Sequence, residues 1–447
     1  MSGKASFVRG VAYGAAYVER CRCALEEALG ATPAYEAWRR LDPGPTLGPF
    51  DRLAALPALT KDDLRAHGPR GFVPHGRDLA AALHSGEVSL VATSGTTSDQ
   101  VTNVWYQPWW DASEAASWEL NAHARAAAGN SHREAILTSP WCAGVPCEDG
   151  YLTREQRTLG RFLYLTERSD PSTWSEALMD RMVEEINAFR PAVLEANPSF
   201  LARLSRHIAA KRLRVCSPGL IVLTYENPSL LHYRQIGRVF DAPVASSYGS
   251  TEAGYVFMEC EAGRLHQVTA SCHVDFLPFT SEHGGPAVGR ILVTTFGNPW
   301  RALVRFDTGD VVRLDGPCPC GRSEGLTLAA VEGRTVNLTV TPEGRVVTQG
   351  EVDRALAQVP GLVEYQLVQV EPAAYHLRCV AEADDARETL DAASEALRAV
   401  YGDHASVLGE LATAIAPAPP GKYRLARALK LVDADALLDT AYAPAAL

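Results

Sequence analysis

The stretch Gly219-Leu220-Ile221-Val222-Leu223-Thr224-Tyr225-Glu226-Asn227-Pro228 reads as a short strand that stops at a proline, with the carboxylate of Glu226 at its exit. Four consecutive large aliphatic residues suit a strand covered on both faces, and a residue before proline is pushed out of the helical region. Upstream, apolar spacing predicts a helix near 198–210, a strand at Ala192-Val193-Leu194-Glu195, a helix over about 174–189 and a strand at Ala135-Ile136-Leu137-Thr138. Strands alternating with helices over this length predict an α/β fold, in which ligands gather where loops leave the carboxyl ends of the strands.

Towards the N-terminus, residues 12–40 read as largely helical, and Leu56-Pro57-Ala58-Leu59-Thr60-Lys61-Asp62-Asp63-Leu64 offers Thr60 as the cap of a short helix. Val88-Ser89-Leu90-Val91-Ala92 is a strand signal that breaks into the hydroxyl-rich turn Thr93-Ser94-Gly95-Thr96-Thr97-Ser98. Beyond residue 333 the pattern restarts on a smaller scale, with a helix from Glu351 to Gln358, strands near 363–370 and 374–381, and a helix near 386–400. The expected organisation is a large multi-layer domain over 1–332 and a smaller, mobile α+β domain over 333–447, joined by a short hinge. No internal repeat or low-complexity linker interrupts it.

The 447 residues suffice for this, and 47% apolar with 21% charged residues lies within the globular range. A net charge of −11 argues against general attraction to nucleic acid or anionic membrane. The first residues lack the apolar stretch of a secretory signal, and no run of 18 apolar residues occurs, so a cytoplasmic protein is expected. Its ten cysteines are then expected to be reduced thiols or metal ligands. Only five lysines occur, at 4, 61, 211, 422 and 430, so chemistry that needs a lysine has few candidates.

Four motifs carry candidate chemistry, although each alone also describes an ordinary solvated turn. In Thr93–Ser98, small residues let backbone N–H groups approach phosphate oxygens and the hydroxyls add donors, without the lysine of a P-loop. Ser246-Ser247-Tyr248-Gly249-Ser250-Thr251-Glu252 joins an aromatic ring, hydroxyls and a carboxylate, a set able to stack a base, contact phosphate and hold Mg²⁺. In Arg305-Phe306-Asp307-Thr308-Gly309-Asp310 an aspartate beside a glycine turn can accept both ribose hydroxyls. Pro419-Pro420-Gly421-Lys422-Tyr423-Arg424 presents a lysine suited to a phosphate-bearing transition state.

The four in this order resemble the adenylate-forming superfamily of acyl-CoA synthetases, adenylation domains and luciferases, most closely its phenylacetate-CoA ligase branch. The Leu56–Leu64 segment and Cys318-Pro319-Cys320-Gly321-Arg322 look like that branch too. The resemblance implies attack of a carboxylate on the α-phosphate of ATP, loss of pyrophosphate, and transfer of the acyl group from the adenylate to a nucleophile. It implies that Ser94, Gly95, Thr96 and Thr97 cradle phosphates, that Tyr248 lies by the adenine within Ser247–Ser250, and that Thr251 and Glu252 serve phosphate and Mg²⁺. Asp310 would bind ribose, Arg334 would lie at the hinge, and Lys422 would stabilise charge until domain rotation withdraws it. Glu226 is grouped with these nucleotide-binding candidates. Ser98 stands where the family usually has glycine, Thr335-Val336-Asn337 replaces the usual acidic pair after Gly333-Arg334, and the glycine-rich segment beyond the hinge is missing. These departures make adenylation the firmer expectation and leave CoA, a carrier-protein thiol or an amine open as acceptor.

Cys260 and His266, with Cys318 and Cys320, offer three thiolates and an imidazole, enough for a closed tetrahedral zinc site, with reduced structural cysteines as the alternative. Trp105-Tyr106-Gln107-Pro108-Trp109-Trp110 suggests an aromatic wall, either for an acyl pocket or for the core, and an aromatic acid is the expected substrate. A zinc-stabilised nucleotide-binding module without catalysis is the reading from another class. A phosphotransferase would yield ADP, and the absent P-loop lysine weighs against it. No motif speaks to oligomeric state.

Overall fold

The computed structural model describes residues 11, 13–93, 100–128, 132–140, 144, 146–147, 150–382, 385–417 and 423–439. The chain forms two compact units, one of Met1–Asn121, Tyr248–Val331 and Asp433–Leu447, the other of Ala122–Ser247 and Glu332–Val432.

In the first unit Ala15–Ala31 is a helix whose Tyr17, Cys21, Leu25 and Ala28 recur every three or four residues and share one core with Phe296, Leu303, Val304 and Phe306. Further on, Leu59 docks against a strand: its N–H donates to Arg305 O (2.9 Å) and its carbonyl accepts from Asp307 N–H (2.8 Å). Thr60 then opens the helix Lys61–Gly71 with a capping box, accepting from Asp63 N–H through its hydroxyl while Asp63 accepts from Thr60 N–H. The cap foreseen at Thr60 is therefore present, and Lys61 becomes the first helical residue at a defined place.

The large sheet of this unit runs Cys272–Pro278, Val288–Thr295, Phe306–Leu314, Thr327–Arg334, Leu265–Gln267 and Gly254–Glu259. Val288–Thr295 is buried along its whole length and pairs antiparallel on both sides, with Ile291 opposite Phe276 and Val288 opposite Arg313. The chain comes back to this sheet near its end. Thr280 N–H donates to Leu437 O, Asp439 N–H donates to Pro278 O, and Asp435 pairs with Arg290, whose guanidinium also meets Asp307.

The second unit contains the parallel sheet expected from the alternating pattern. Leu220–Leu223 lies between Val193–Ala196 and the start of Val244–Ser250, in register Val193↔Leu220 and Ile221↔Val244, and Glu134–Leu137 continues the sheet beside Val193–Ala196. Helices Glu176–Phe189 and Pro198–Lys211 cover it. Ser175 and Asn197 cap their N-termini by accepting from Leu178, and from Ser199 and Phe200, and left-handed Arg190 and Arg212 end them. Residues 332–432 share this unit. They supply a sheet ordered Ser406–Leu411, Ala374–Ala381, Leu362–Glu371, Ala426–Ala428, and helices Gln349–Leu356 and Ala386–Tyr401. Helix Leu230–Gly237 joins the two halves: Leu231 enters the core of residues 347–426, and Arg234 and Gln235 donate to Leu362 O and Val363 O. Among the described residues no helix is long and apolar enough to cross a membrane.

Candidate active site and metal centre

Ser94, Gly95, Thr96, Thr97 and Lys422 lie outside the described residues. What flanks the first of these is defined: Ser89–Ala92 pairs antiparallel with Thr102–Trp105, Thr93 N–H donates to Val101 O, and Val101 N–H donates to Thr93 Oγ1.

The second motif is shaped by two glycines. A Cβ on Gly249 would sit 2.3 Å from Gly254 O, and Gly254, at φ +70°, would bring a Cβ to 2.8 Å from the Trp109 ring, so the chain folds back between strands only with glycine at both places. Ser246 and Ser247 are buried on the strand before this turn, and Ser250 Oγ accepts from Ala253 N–H within it. Tyr248 directs its hydroxyl to Asp310, donating to Oδ2 at 2.6 Å. Asp310 is itself held in the strand Phe306–Leu314 at a register irregularity, where Gly309 takes φ +75° and Asp310 N–H donates to Thr308 Oγ1. The tyrosine assigned to the adenine and the aspartate assigned to the ribose thus belong to one hydrogen-bonded pair.

Glu252 is buried, and its Oε1 accepts no hydrogen bond among the described residues. Lys61 Nζ lies 3.5 Å from that oxygen. Burial pushes the Glu252 carboxyl up, but the Lys61 ammonium, its own backbone N–H and the Arg301 guanidinium outweigh it, so the group rests below the usual carboxylate range and is ionised at neutral pH. Arg301 is buried as well, and burial lowers its guanidinium to about 10 against the pull of Glu252. It donates to the carbonyls of Thr251 and Glu252 and to Asn103 Oδ1, so one cation ties the Thr251-Glu252 turn to the strand Thr102–Trp105. A buried, ionised carboxylate is the kind of donor a hard cation such as Mg²⁺ needs. Neither Lys61 nor Arg301 is marked as a site residue by local sequence. Lys61 could have been singled out as one of few lysines, whereas nothing in Asn298-Pro299-Trp300-Arg301 announces a buried cation.

Arg334 ends the strand Thr327–Arg334 with its side chain exposed. Glu226 lies in the second unit, where Oε2 accepts from Ser199 Oγ (2.8 Å) and Oε1 from Tyr423 N–H (2.9 Å).

The three cysteines and one histidine converge. Cys260 Sγ is 3.7 Å from Cys318 Sγ, Cys320 Sγ is 3.2 Å from His266 Nε2, and all four donor atoms lie within 4.8 Å of one another. A tetrahedral centre with zinc–sulfur bonds of about 2.3 Å separates its sulfurs by about 3.8 Å, so the donor set fits that ion. Gly263, at φ +72°, closes the turn between Cys260 and His266, and Gly321 N–H donates to Cys318 O in the facing loop. Arg322 pairs with Glu261 at 3.0 Å and clips the two loops together. Burial and the Arg322 charge lower the His266 pKa, keeping its imidazole neutral as a ligand must be.

The layered α/β architecture with these turns is the fold of the adenylate-forming enzymes. No family model matches the chain, and no curated relative matches it. Among solved structures, 2-hydroxyisobutyryl-CoA ligase in the postadenylation state with 2-HIB-AMP matches with a TM-score of 0.67 and 17% identity, over 94% of this chain and 91% of that one. The same ligase with R3-HIB-AMP gives 0.65 and 18% identity over 94% and 91%. An anthranilate CoA ligase in complex with anthranoyl-AMP gives 0.50 and 14% identity over 75% and 66%.

Proposed function

We propose that this chain is an AMP-forming ligase that uses ATP to activate a carboxylic acid. A carboxylate oxygen of the acid bonds to the α-phosphorus, the bond from that phosphorus to the bridging oxygen breaks, and pyrophosphate leaves. A thiol or amine then attacks the acyl carbonyl and loses its proton, and AMP departs. The observation that carries this reading is the pair Tyr248–Asp310, joined at 2.6 Å, leading within four residues of chain to the buried, ionised Glu252. Stacking surface, diol acceptor and cation ligand are the groups that binding a nucleoside triphosphate for α-phosphate chemistry requires.

In this reading Asp310 accepts the ribose hydroxyls and Tyr248 lies against the adenine, with Ser247, Gly249 and Ser250 shaping the turn. Thr251 and the Ser94–Thr97 loop donate to phosphate oxygens. Glu252 would hold Mg²⁺, which when bound supplies positive charge to the phosphates, and Lys61 keeps Glu252 ionised. Lys422 is the cation assigned to the charge that builds at the α-phosphate, and Arg334 is assigned to the hinge. The Cys260, His266, Cys318, Cys320 cluster is read as a structural zinc site, since a closed set of four protein donors leaves no position for substrate.

The finer assignment is to a phenylacetate-CoA ligase-like enzyme acting on an aromatic acid. It is supported by a ring cluster in which Trp110 lies 4.4 Å from Trp105 and 5.0 Å from Tyr255, centroid to centroid. CoA is the preferred acceptor because the similar solved structures are CoA ligases by name. The test is incubation with ATP, Mg²⁺ and a panel of aryl and aliphatic acids, with separation of the nucleotide products. AMP formed only with particular acids supports the reading. ADP would point to a phosphotransferase, and unchanged ATP with every acid to a binding module.

A further inference from the structure

We infer that Arg305 is a positioning residue for the adenylation half-reaction, setting Lys61 against Glu252 through the segment 53–59; this rests on the reading given above. One residue holds both ends of that segment. The Arg305 guanidinium donates through Nη1 to Leu53 O at 2.6 Å, near the end of the helix Pro49–Ala54, and the Arg305 carbonyl accepts from Leu59 N–H at 2.9 Å. Asp307 N–H completes the second tie by donating to Leu59 O at 2.8 Å. Thr60 follows with its capping box, and Lys61 opens the next helix with Nζ 3.5 Å from Glu252 Oε1. The start of the Lys61 helix is thereby located from Arg305.

Arg305 is itself fixed. Its backbone stands at φ +51°, a left-handed conformation that a residue with a Cβ keeps only where its surroundings impose it, and here its N–H donates to Thr294 Oγ1 at 3.0 Å. Its side chain is buried, with Nε 4.0 Å from Asp275 Oδ2. Asp275 also meets His273, whose Nε2 is 3.5 Å from Oδ1 and whose Nδ1 lies 2.7 Å from the Tyr17 hydroxyl. The Phe50 ring, on the same helix as Leu53, stacks on His273 with centroids 5.0 Å apart. A guanidinium suits this place because its planar fork of donors can serve a carboxylate and a carbonyl at once. A short segment secured at both ends to one buried residue keeps few conformations, so the helix just beyond it needs little ordering to hold its first lysine in place. The stretch Arg305–Asp310 thus serves the site twice, supplying Asp310 directly and placing Lys61 through the chain.

The test uses the full-length protein and two variants, each assayed well below its unfolding midpoint. Arg305→Met alone would leave Asp275 buried without its cation, so it is combined with Asp275→Asn, which removes both charges together. Arg305→Lys keeps the charge beside Asp275 but lacks the fork that also reaches Leu53 O. Amide hydrogen exchange at Leu59 should quicken by on the order of tenfold in both variants. Acid-dependent pyrophosphate release should lose on the order of tenfold in kcat, with KM for ATP within about twofold. In a Lys61→Ala background the same substitutions should lower kcat by less than about twofold, because the residue they act through is already gone. A loss that multiplies equally in both backgrounds would show general damage to the fold and overturn the inference, as would unaltered exchange at Leu59. If the unsubstituted protein releases no pyrophosphate with any acid, the functional reading fails and the role of Arg305 in adenylation falls with it. An active protein whose Arg305 variants are undiminished contradicts this inference alone.

Discussion

Lys61 Nζ stands 3.5 Å from Oε1 of Glu252, a carboxylate whose side chain is 3% exposed. A carboxylate so buried must be compensated, and here the compensation comes from a lysine placed by a capping box and from Arg301 on the turn's carbonyls. Removing Lys61 leaves the charge underpaired, so Lys61→Ala is expected to lower acid-dependent pyrophosphate release by on the order of tenfold to a hundredfold. Thr60→Ala should do less, costing about 1 kcal/mol of stability through the lost cap and reducing activity only where Lys61 is displaced. Steady-state kinetics and denaturant unfolding separate the two.

Asp310→Ala is expected to raise KM for ATP by on the order of tenfold to a hundredfold, because a charged acceptor for the ribose hydroxyls is lost. Tyr248→Phe removes the hydroxyl that donates to Asp310 at 2.6 Å but keeps the ring. Its effect should be smaller and in the same direction, since the aspartate is left less well held. Kinetics over a range of ATP concentrations check both.

The cysteine cluster makes a compositional prediction. Purified protein should carry equimolar zinc, and Cys318→Ser should lose it together with about 5–15 °C of thermal midpoint, as expected where metal binding is coupled to folding. Elemental analysis with a melting curve checks this. Retention of the midpoint without zinc would show the thiols to be structural only.

His232 is buried, and burial with the Arg206 charge lowers its pKa from 6.5 to about 3. The unfolded chain therefore binds this proton first, and the stability tied to the neutral ring is complete above about pH 6.5 and declines as pH falls from there towards about 3. Asp353, packed nearby through Leu230 N–H, works in the opposite sense: burial raises its carboxyl to about 6, so protonation below that pH relieves a cost. His232→Asn should leave the Asp353 contribution unopposed and make stability rise between pH 6 and pH 4 relative to the parent protein. Denaturant unfolding across that range is the measurement.

Much of this architecture could be read locally, and where it could not the reason is long-range pairing. The strand Leu220–Leu223, the helices before it and the cap at Thr60 depend on periodicity and capping chemistry within a few residues. The convergence of Cys260, His266, Cys318 and Cys320 was legible because three thiols and an imidazole make a recognisable donor set. Lys61 meets Glu252, and Arg301 meets Asn103, only after the chain has folded, and no periodicity marks either pair. The same holds for residues 332–432, whose apolar pattern gives their elements but not that Leu231 would be buried among them. Glu226 shows the limit most clearly: its place at a strand exit was legible, while its partners Ser199 and Tyr423 were not.

The most direct test of the central claim is ATP–pyrophosphate exchange, which reports reversible adenylate formation without needing the acceptor. Label should enter ATP only when a suitable carboxylic acid is present, and Lys422→Ala should reduce that exchange by orders of magnitude. Exchange that is absent with every acid tried, or equally fast without acid, would contradict it.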